Sequence, residues 1–193
     1  WNGFNINSAS LGLTDLSMIP AYLTDKITLL HGGSSPVNGN SAIGSSVLLE
    51  NSIPQFNVDN ATTFIAEGGN FGNAHGSINT KWSNRFMESK TILFYDEAKN
   101  NFNYINYTHR DKPEVKQQHA AYQNYGLVQD FQFKINEGHF ISTGLWYQVT
   151  ERELPPLMTN PNSTANQRDS TWRMHLGYKM VLKNSVLSVK GAY

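Results

Sequence analysis

Six histidines, His31, His75, His109, His119, His139 and His175, are the residues of this chain best equipped for chemistry. No two show the H-x-x-x-H spacing that sets two imidazoles on one helical face around a metal. His75 and His175 fall on the polar side of alternating segments, where a solvated or hydrogen-bonded imidazole is expected. Gly32-Gly33-Ser34-Ser35 follows an apolar run, as a phosphate cradle does. It lacks the G-x-x-x-x-G-K-[ST] pattern, and neither a lysine nor a long helix follows. A tight turn is the better use, because glycine enters positive φ at no steric cost. Ser34 and Ser35 have no G-x-S-x-G elbow, and nothing in the sequence brings a serine, a histidine and an orienting partner together. No catalytic residue, metal ligand or cofactor is therefore assigned. Thr108–His119 is charged but too poor in carboxylates for a calcium cage, and reads as a solvated loop. Asn7–Leu11 is a run of small residues, the composition of a short connection.

The elements that carry these residues are strands. The chain has 193 residues, no cysteine and no net charge, and 39% of it is hydrophobic; its mean hydropathy is −0.46. No stretch approaches the roughly 20 apolar residues of a membrane-spanning helix. The missing cysteines exclude a disulfide framework and thiolate metal sites, and the neutral charge argues against nucleic acid as a partner. Trp1–Asn7 reads as a short strand. Thr14 or Asp15 caps a helical turn over Leu16–Ile19 that Pro20 stops. Apolar runs at Ile27–Leu30 and Val47–Leu49 flank the glycine-rich turn, and Asn51–Gln55 is a linker broken by Pro54. Beyond it the period is near two. Seven strands are predicted: Phe56–Ala66, Ala74–Phe86, Lys90–Asp96, Leu127–Ile135, His139–Val149, Trp172–Leu182 and Ser185–Tyr193. The clearest sets Trp172, Met174, Leu176, Tyr178, Met180 and Leu182 against Arg173, His175 and Lys179. The links after the second, fourth and sixth strands are short, whereas Glu97–His119 and Thr150–Asp169 are long. That asymmetry, with strands that reach 9 to 13 residues by this reading, is the layout of an outer-membrane barrel with long loops outside.

The first quarter of the chain resembles the C-terminal half of the plug in TonB-dependent outer-membrane receptors. The pieces that carry the resemblance are NGFNIN, TDLSMIP, DKITLLHGGSS and NSAIGSSVLLEN. Asn2-Gly3 stands where the family has Asp-Gly, and Gly32-Gly33 stands for Gly-Pro. Val37-Asn38-Gly39 stands for Leu-Tyr-Gly, and Ile43-Gly44-Ser45 for Ile-Gly-Gly. The His-Gly-Gly-Ser-Ser variant and TDLSMIP look like the cobalamin-receptor-like branch; Asn38 and Ser45 depart from the pattern.

The resemblance implies a mostly β protein. Residues 1–53 would be the C-terminal part of an α/β plug domain, and residues 54–193 the first antiparallel strands of a transmembrane β-barrel. The chain is then expected to be a fragment, with the export signal, the coupling segment, the early plug and most of the barrel lying outside it. Seven strands do not enclose a plug, since plugged transporter barrels have about 22. The implied function is active uptake of a scarce nutrient across the bacterial outer membrane, cobalamin or a related metal chelate, with a ferric siderophore as the alternative. The implied partners are that nutrient, an inner-membrane TonB-type energy transducer, outer-membrane lipid and a surface lipoprotein. Ser8, Ala9 and Ser10 match the plug loop that faces ligand in the cobalamin receptor and are the expected ligand contacts. Two readings of other classes compete. A soluble all-β ligand-binding module needs shorter strands and its own complete core, and an outer-membrane enzyme needs a triad.

Overall fold

The computed structural model describes residues 1–7, 12, 14–32, 45–108, 110–157 and 162–193. The molecule is mostly β, and its strands pair antiparallel throughout. After two 3-10 turns, Leu16–Met18 and Ala21–Leu23, come β1 (Lys26–His31) and β2 (Ser45–Glu50), which pair with each other. A seven-stranded sheet follows, built from β3 (Ala61–Gly68), β4 (Ala74–Ser83), β5 (Met87–Ala98), β8 (Tyr122–Asn136), β9 (His139–Glu153), β10 (Asn166–Val181) and β11 (Val186–Ala192). The strands lie in that order, a meander in which each pairs with the next. The connection between β5 and β8 carries its own hairpin, β6 (Asn103–Ile105) with β7 (Glu114–Lys116).

All seven expected strands of the sheet are present, with shifted ends. Phe56–Asn60, predicted as the start of the first, is not strand. Asn57 turns through φ 58° and its N–H donates to the Asn84 carbonyl at 3.0 Å, so the ladder begins only at Ala61. Trp1–Asn7, also predicted as strand, is a turn. Asn2 and Gly3 take φ 52° and 90°, and the Phe4 N–H returns to the Trp1 carbonyl at 2.9 Å. β8, β9 and β10 run to 15, 15 and 16 residues, longer than their alternation shows, because pairing continues into polar ends. The links expected to be short are short: Asn84–Phe86, Glu137–Gly138 and Leu182–Ser185.

The sheet has two unlike faces. On the open face stand Phe64, Ile78, Trp82, Leu93, Tyr95, Trp172, Met174 and Leu176, all exposed, with Leu176 at 61%. The other face is covered by the N-terminal segment. At its centre Ile92, Phe94, Val128 and Trp146 pack with Trp1, Leu23 and Leu49 into one apolar island. Trp146 is fully enclosed, with the Trp1 ring edge-on to it at 5.6 Å. Each fully buried side chain of this kind contributes about 1.5–3 kcal/mol. Around the island the covered face is polar, with buried Ser77, Glu88, Asn124, Asp130, Gln148, Thr150 and His175.

Candidate functional site

The N-terminal segment is tied to the covered face by polar contacts that ring the island. Asp15 caps the first 3-10 turn, its Oδ1 accepting from the Ser17 N–H at 3.1 Å and the Ser17 hydroxyl at 2.6 Å. The turn aims the Met18 carbonyl at the sheet, where Gln148 Nε2 donates to it at 2.6 Å and Asn124 Nδ2 at 3.2 Å. Asn124 Oδ1 in turn accepts from Gln148 at 2.8 Å and Thr150 at 3.1 Å. Buried polar groups of this kind are expensive unless paired, and here one carbonyl satisfies two of them.

A second set of ties lies beside β2. Asn51 Nδ2 donates to Asp130 Oδ2 at 2.7 Å, while Asp130 Oδ1 sits 3.5 Å from His175 Nε2. The Asn2 amide reaches the same His175 nitrogen at 3.4 Å. Lys90 pairs with Asp25, whose other oxygen takes the Ser52 N–H and hydroxyl, both at 2.9 Å. Burial opposes ionisation of Asp25, but the Lys90 ammonium and the Ser52 donors hold its carboxyl below the usual range. Asp25, Asn51, Ser52, Lys90 and Asp130 border a polar cavity of about 180 Å³.

Ser77, His75 and Asp96 stand in the order of a hydrolytic triad. His75 Nε2 lies 3.2 Å from Ser77 Oγ and Nδ1 lies 2.5 Å from Asp96 Oδ1. The sequence concealed this grouping, because Asp96 reaches His75 only through the β4–β5 register, in which the two are paired. The signal available beforehand was His75-x-Ser77, which places both side chains on one face of a strand. The chemistry does not follow from the order alone. Ser77 is buried, and the Tyr22 ring lies 4.4 Å from the imidazole. β4 pairs on both sides, so its N–H groups serve the ladders rather than a developing oxyanion. The Tyr22 hydroxyl donates to the free Asp96 oxygen at 2.7 Å. Burial, and then the Asp96 carboxylate, push the Tyr22 phenol up, so it stays a donor. The arrangement thus ties the second 3-10 turn to the wall of the sheet.

The larger concavity is a groove of about 860 Å³ between residues 1–7 and 14–19 on one side and the strands β9, β10 and β11 on the other. Trp1 and Phe4 lie on one side of it. Asp15 and Arg152 meet across it at 2.9 Å. The Ser17 hydroxyl foremost, helped by Arg152 and the Ser17 N–H, holds the Asp15 carboxyl below its usual range against the opposing effect of burial. Arg152 also donates twice to Gln167 Oε1, at 3.0 and 2.9 Å, and Gln167 donates to Asp169 at 2.7 Å. Arg173 completes the wall, its guanidinium 4.4 Å from the Trp146 ring centre.

The expected ligand contacts Ser8, Ala9 and Ser10 lie outside the described residues, as do His109 and Gly33–Gly44. The flanks of the Ser8–Ser10 segment, Asn7 and Thr14, line the groove and meet through a 2.8 Å hydrogen bond. Gly32 takes φ 95°, a left-handed conformation that favours glycine, and the rest of the expected turn lies outside the described residues. His119 Nε2 contacts the Ala165 carbonyl at 2.8 Å and His139 meets the Tyr178 hydroxyl at 2.5 Å. Among the described residues no three His, Asp or Glu side chains are grouped to hold a metal ion. No protein-family model and no curated protein matches the chain.

Proposed function

We propose that the chain is part of an outer-membrane receptor for active nutrient uptake. In this reading residues 1–53 belong to the plug and β3–β5 and β8–β11 to the barrel wall, with β6–β7 part of an outer loop. The observation that carries it is the two-faced sheet: an exposed apolar face on strands of up to 16 residues, and a polar face occupied by the N-terminal segment. A soluble sheet buries its apolar face. An outer-membrane wall turns it to lipid and keeps polar residues inside. Backbone groups in lipid must all be paired, and a meander that continues to closure meets that demand. The resemblance of the first quarter to receptor plugs supplies the rest. The ligand is captured on the outer side and released inward when an energy-transducing partner acts on the plug. Cobalamin or a related metal chelate is the leading nutrient, and a ferric siderophore the second.

The test uses the full-length protein in an outer-membrane host lacking its own receptors. Expected are a heat-modifiable band in the outer-membrane fraction and uptake of labelled cyanocobalamin or a ferric siderophore only when the energy transducer is present. A soluble, non-modifiable product overturns the reading.

A further inference from the structure

We propose that His119 and Glu153 form a proton-operated latch between the two long connections at one end of the sheet, drawn shut when the imidazole is cationic. The latch stands on its own contacts and does not depend on the uptake reading.

The β5–β8 connection carries the β6–β7 hairpin and is pinned at its base. The Gln117 N–H donates to the Phe102 carbonyl at 2.8 Å, and Asn100 Nδ2 donates to the Ala120 carbonyl at 2.9 Å. Beside these ties His119 takes φ 53°, a left-handed conformation uncommon outside glycine. Its ring reaches the other connection. Nε2 lies 2.8 Å from the carbonyl of Ala165, the residue before β10. Nδ1 lies 3.5 Å from Oε1 of Glu153, the last residue of β9. Both partners are themselves anchored. The Ala165 carbonyl also accepts the Leu154 N–H at 2.8 Å, and Glu153 Oε2 accepts the Ala121 N–H at 2.9 Å. One imidazole thus joins the two connections where they meet the sheet.

Hydrogen-bond chemistry sets the proton count. A carbonyl oxygen only accepts, so Nε2 carries a hydrogen in its contact with Ala165. In a neutral ring Nδ1 then has only a lone pair, which faces the Glu153 carboxylate and cannot bond to it. A second proton, on Nδ1, turns the same approach into a charge-assisted bond. The bond exists only with that proton, so by linkage closure is favoured at low pH and lost as pH rises through the histidine range, about 6.5. Other charges on the elements that meet here are engaged: Arg152 with Asp15 at 2.9 Å, Glu151 with Arg168 at 3.2 Å, and Glu97 with the Tyr95 hydroxyl at 2.8 Å. The Lys99 chain lies against Gly72, Glu114 and Lys116 sit on β7, and Tyr122, at the start of β8, is a phenol, which ordinarily titrates only near pH 10. Residues 155–165 hold no charged side chain. The His119 and Glu153 side chains are 19% and 38% exposed, so the pair answers to the pH of the medium. In the uptake reading this is the outer end, and the latch would draw the outer connections together in acid.

The test is amide hydrogen exchange in the full-length protein, read as protection relative to intrinsic exchange at each pH. The reporters are Ala121 and Leu154, whose N–H groups donate to Glu153 and to the Ala165 carbonyl. From about pH 8 to about pH 5.5, a range that brackets histidine and stays above ordinary carboxylates, protection of both should rise. The rise should be about two- to fivefold, the scale of a partly solvated ion pair. His119→Gln keeps a donor for Ala165 but takes up no proton. It should match the wild type at the alkaline end and stay level on acidification. Glu153→Gln keeps an acceptor for Ala121 and leaves the backbone at position 119 alone, so it decides the matter should the first variant unfold. It too should lose the rise. Asn84, whose N–H donates to the Met87 carbonyl at the opposite end of the sheet, should be flat in all three proteins. Flat protection at the reporters in the wild type overturns the inference. So does a rise that survives either substitution, which would belong to another titrating group, and so does an equal rise at Asn84, which would mark a change of the whole molecule. None of these outcomes bears on uptake, which the membrane fractionation and transport assays decide separately.

Discussion

Gly144 has no side chain because two polar side chains need its space. A Cβ there would stand 2.3 Å from His175 Nε2 and 2.5 Å from Asp130 Oδ1. Both partners are buried and tied back, Asp130 to Asn51 and His175 to the Trp1 ring at 4.8 Å, so neither can yield. Gly144→Ala is expected to cost about 1–3 kcal/mol, the usual scale of overpacking, and to part Asn51 from Asp130. Thermal unfolding, together with amide exchange at Asn51, measures it; an unshifted midpoint would show that the pair moves freely. Asp25 gives a pH dependence. Its folded pKa lies below the ordinary 3.8, so its contribution is present above about pH 4 and is lost as pH falls through the lower folded value. Protection of the β1–β2 amides, taken relative to their intrinsic exchange at each pH, should therefore fall on acidification below about pH 4. In Asp25→Asn protection should already be a few-fold lower at neutral pH and lose that part of the acid response, the small size reflecting a pair that is partly solvated. An unchanged acid profile in Asp25→Asn would assign the dependence to another carboxylate.

At the scale of the element, β10 states the two-faced pattern most plainly. Trp172, Met174 and Leu176 are exposed, whereas His175 between them is buried. If that face meets lipid, Leu176→Arg costs roughly 2–4 kcal/mol near the bilayer midplane. Spin labels along β10 should then show lipid-phase access at Leu176 and not at Arg173; the reverse order would place the membrane elsewhere. This pattern was legible in the sequence because alternation needs only neighbours in the chain. The apolar island was not. Val128 and Trp146 share the face of Asp130 and Gln148, out of phase with the apolar residues Leu127, Leu145 and Tyr147 of the same strands. They mark where a second layer docks, and only the pairing of Val128 with Trp146 across β8 and β9 shows that they form one patch. Asp96 and His75 were hidden for the same reason, since a register between strands is not written in either strand. Trp1–Asn7 failed differently, because Asn2 and Gly3 override an otherwise strand-like composition with two positive φ angles. Trp146→Ala tests the island: a loss of about 3–5 kcal/mol is expected. Protease should then cut residues 1–50 faster than the sheet, and uniform cutting would deny that the island holds the segment.

The whole molecule has a direction, set by its connections. Two-residue and three-residue links lie at one end of the sheet, at Glu137–Gly138 and Asn84–Phe86. The opposite end carries the β5–β8 connection with its hairpin and the long β9–β10 link. In outer-membrane walls short turns face the periplasm and long loops the outside, so the asymmetry fixes an orientation if the chain spans a membrane. The same end holds the part of the groove near Arg152 and Gln167, which lie at the end of β9 and the start of β10. A ligand arriving from outside would thus meet the groove before the N-terminal hairpin. Single cysteines test the orientation at Lys116 and Asn162 on the long links and at Glu137 on a short one. Glu137 is preferable to Asn136, whose side chain accepts the Gly138 N–H at 2.9 Å and shapes the turn, whereas Glu137 is 93% exposed. In intact cells a membrane-impermeant maleimide should label Lys116→Cys and Asn162→Cys and spare Glu137→Cys, which becomes reactive only once the outer membrane is opened. Labelling of Glu137→Cys alone would invert the orientation and put the groove on the periplasmic side, where it could release a nutrient but not capture one. Labelling of all three in intact cells would mean that both ends are open to the medium and would remove the membrane from the account.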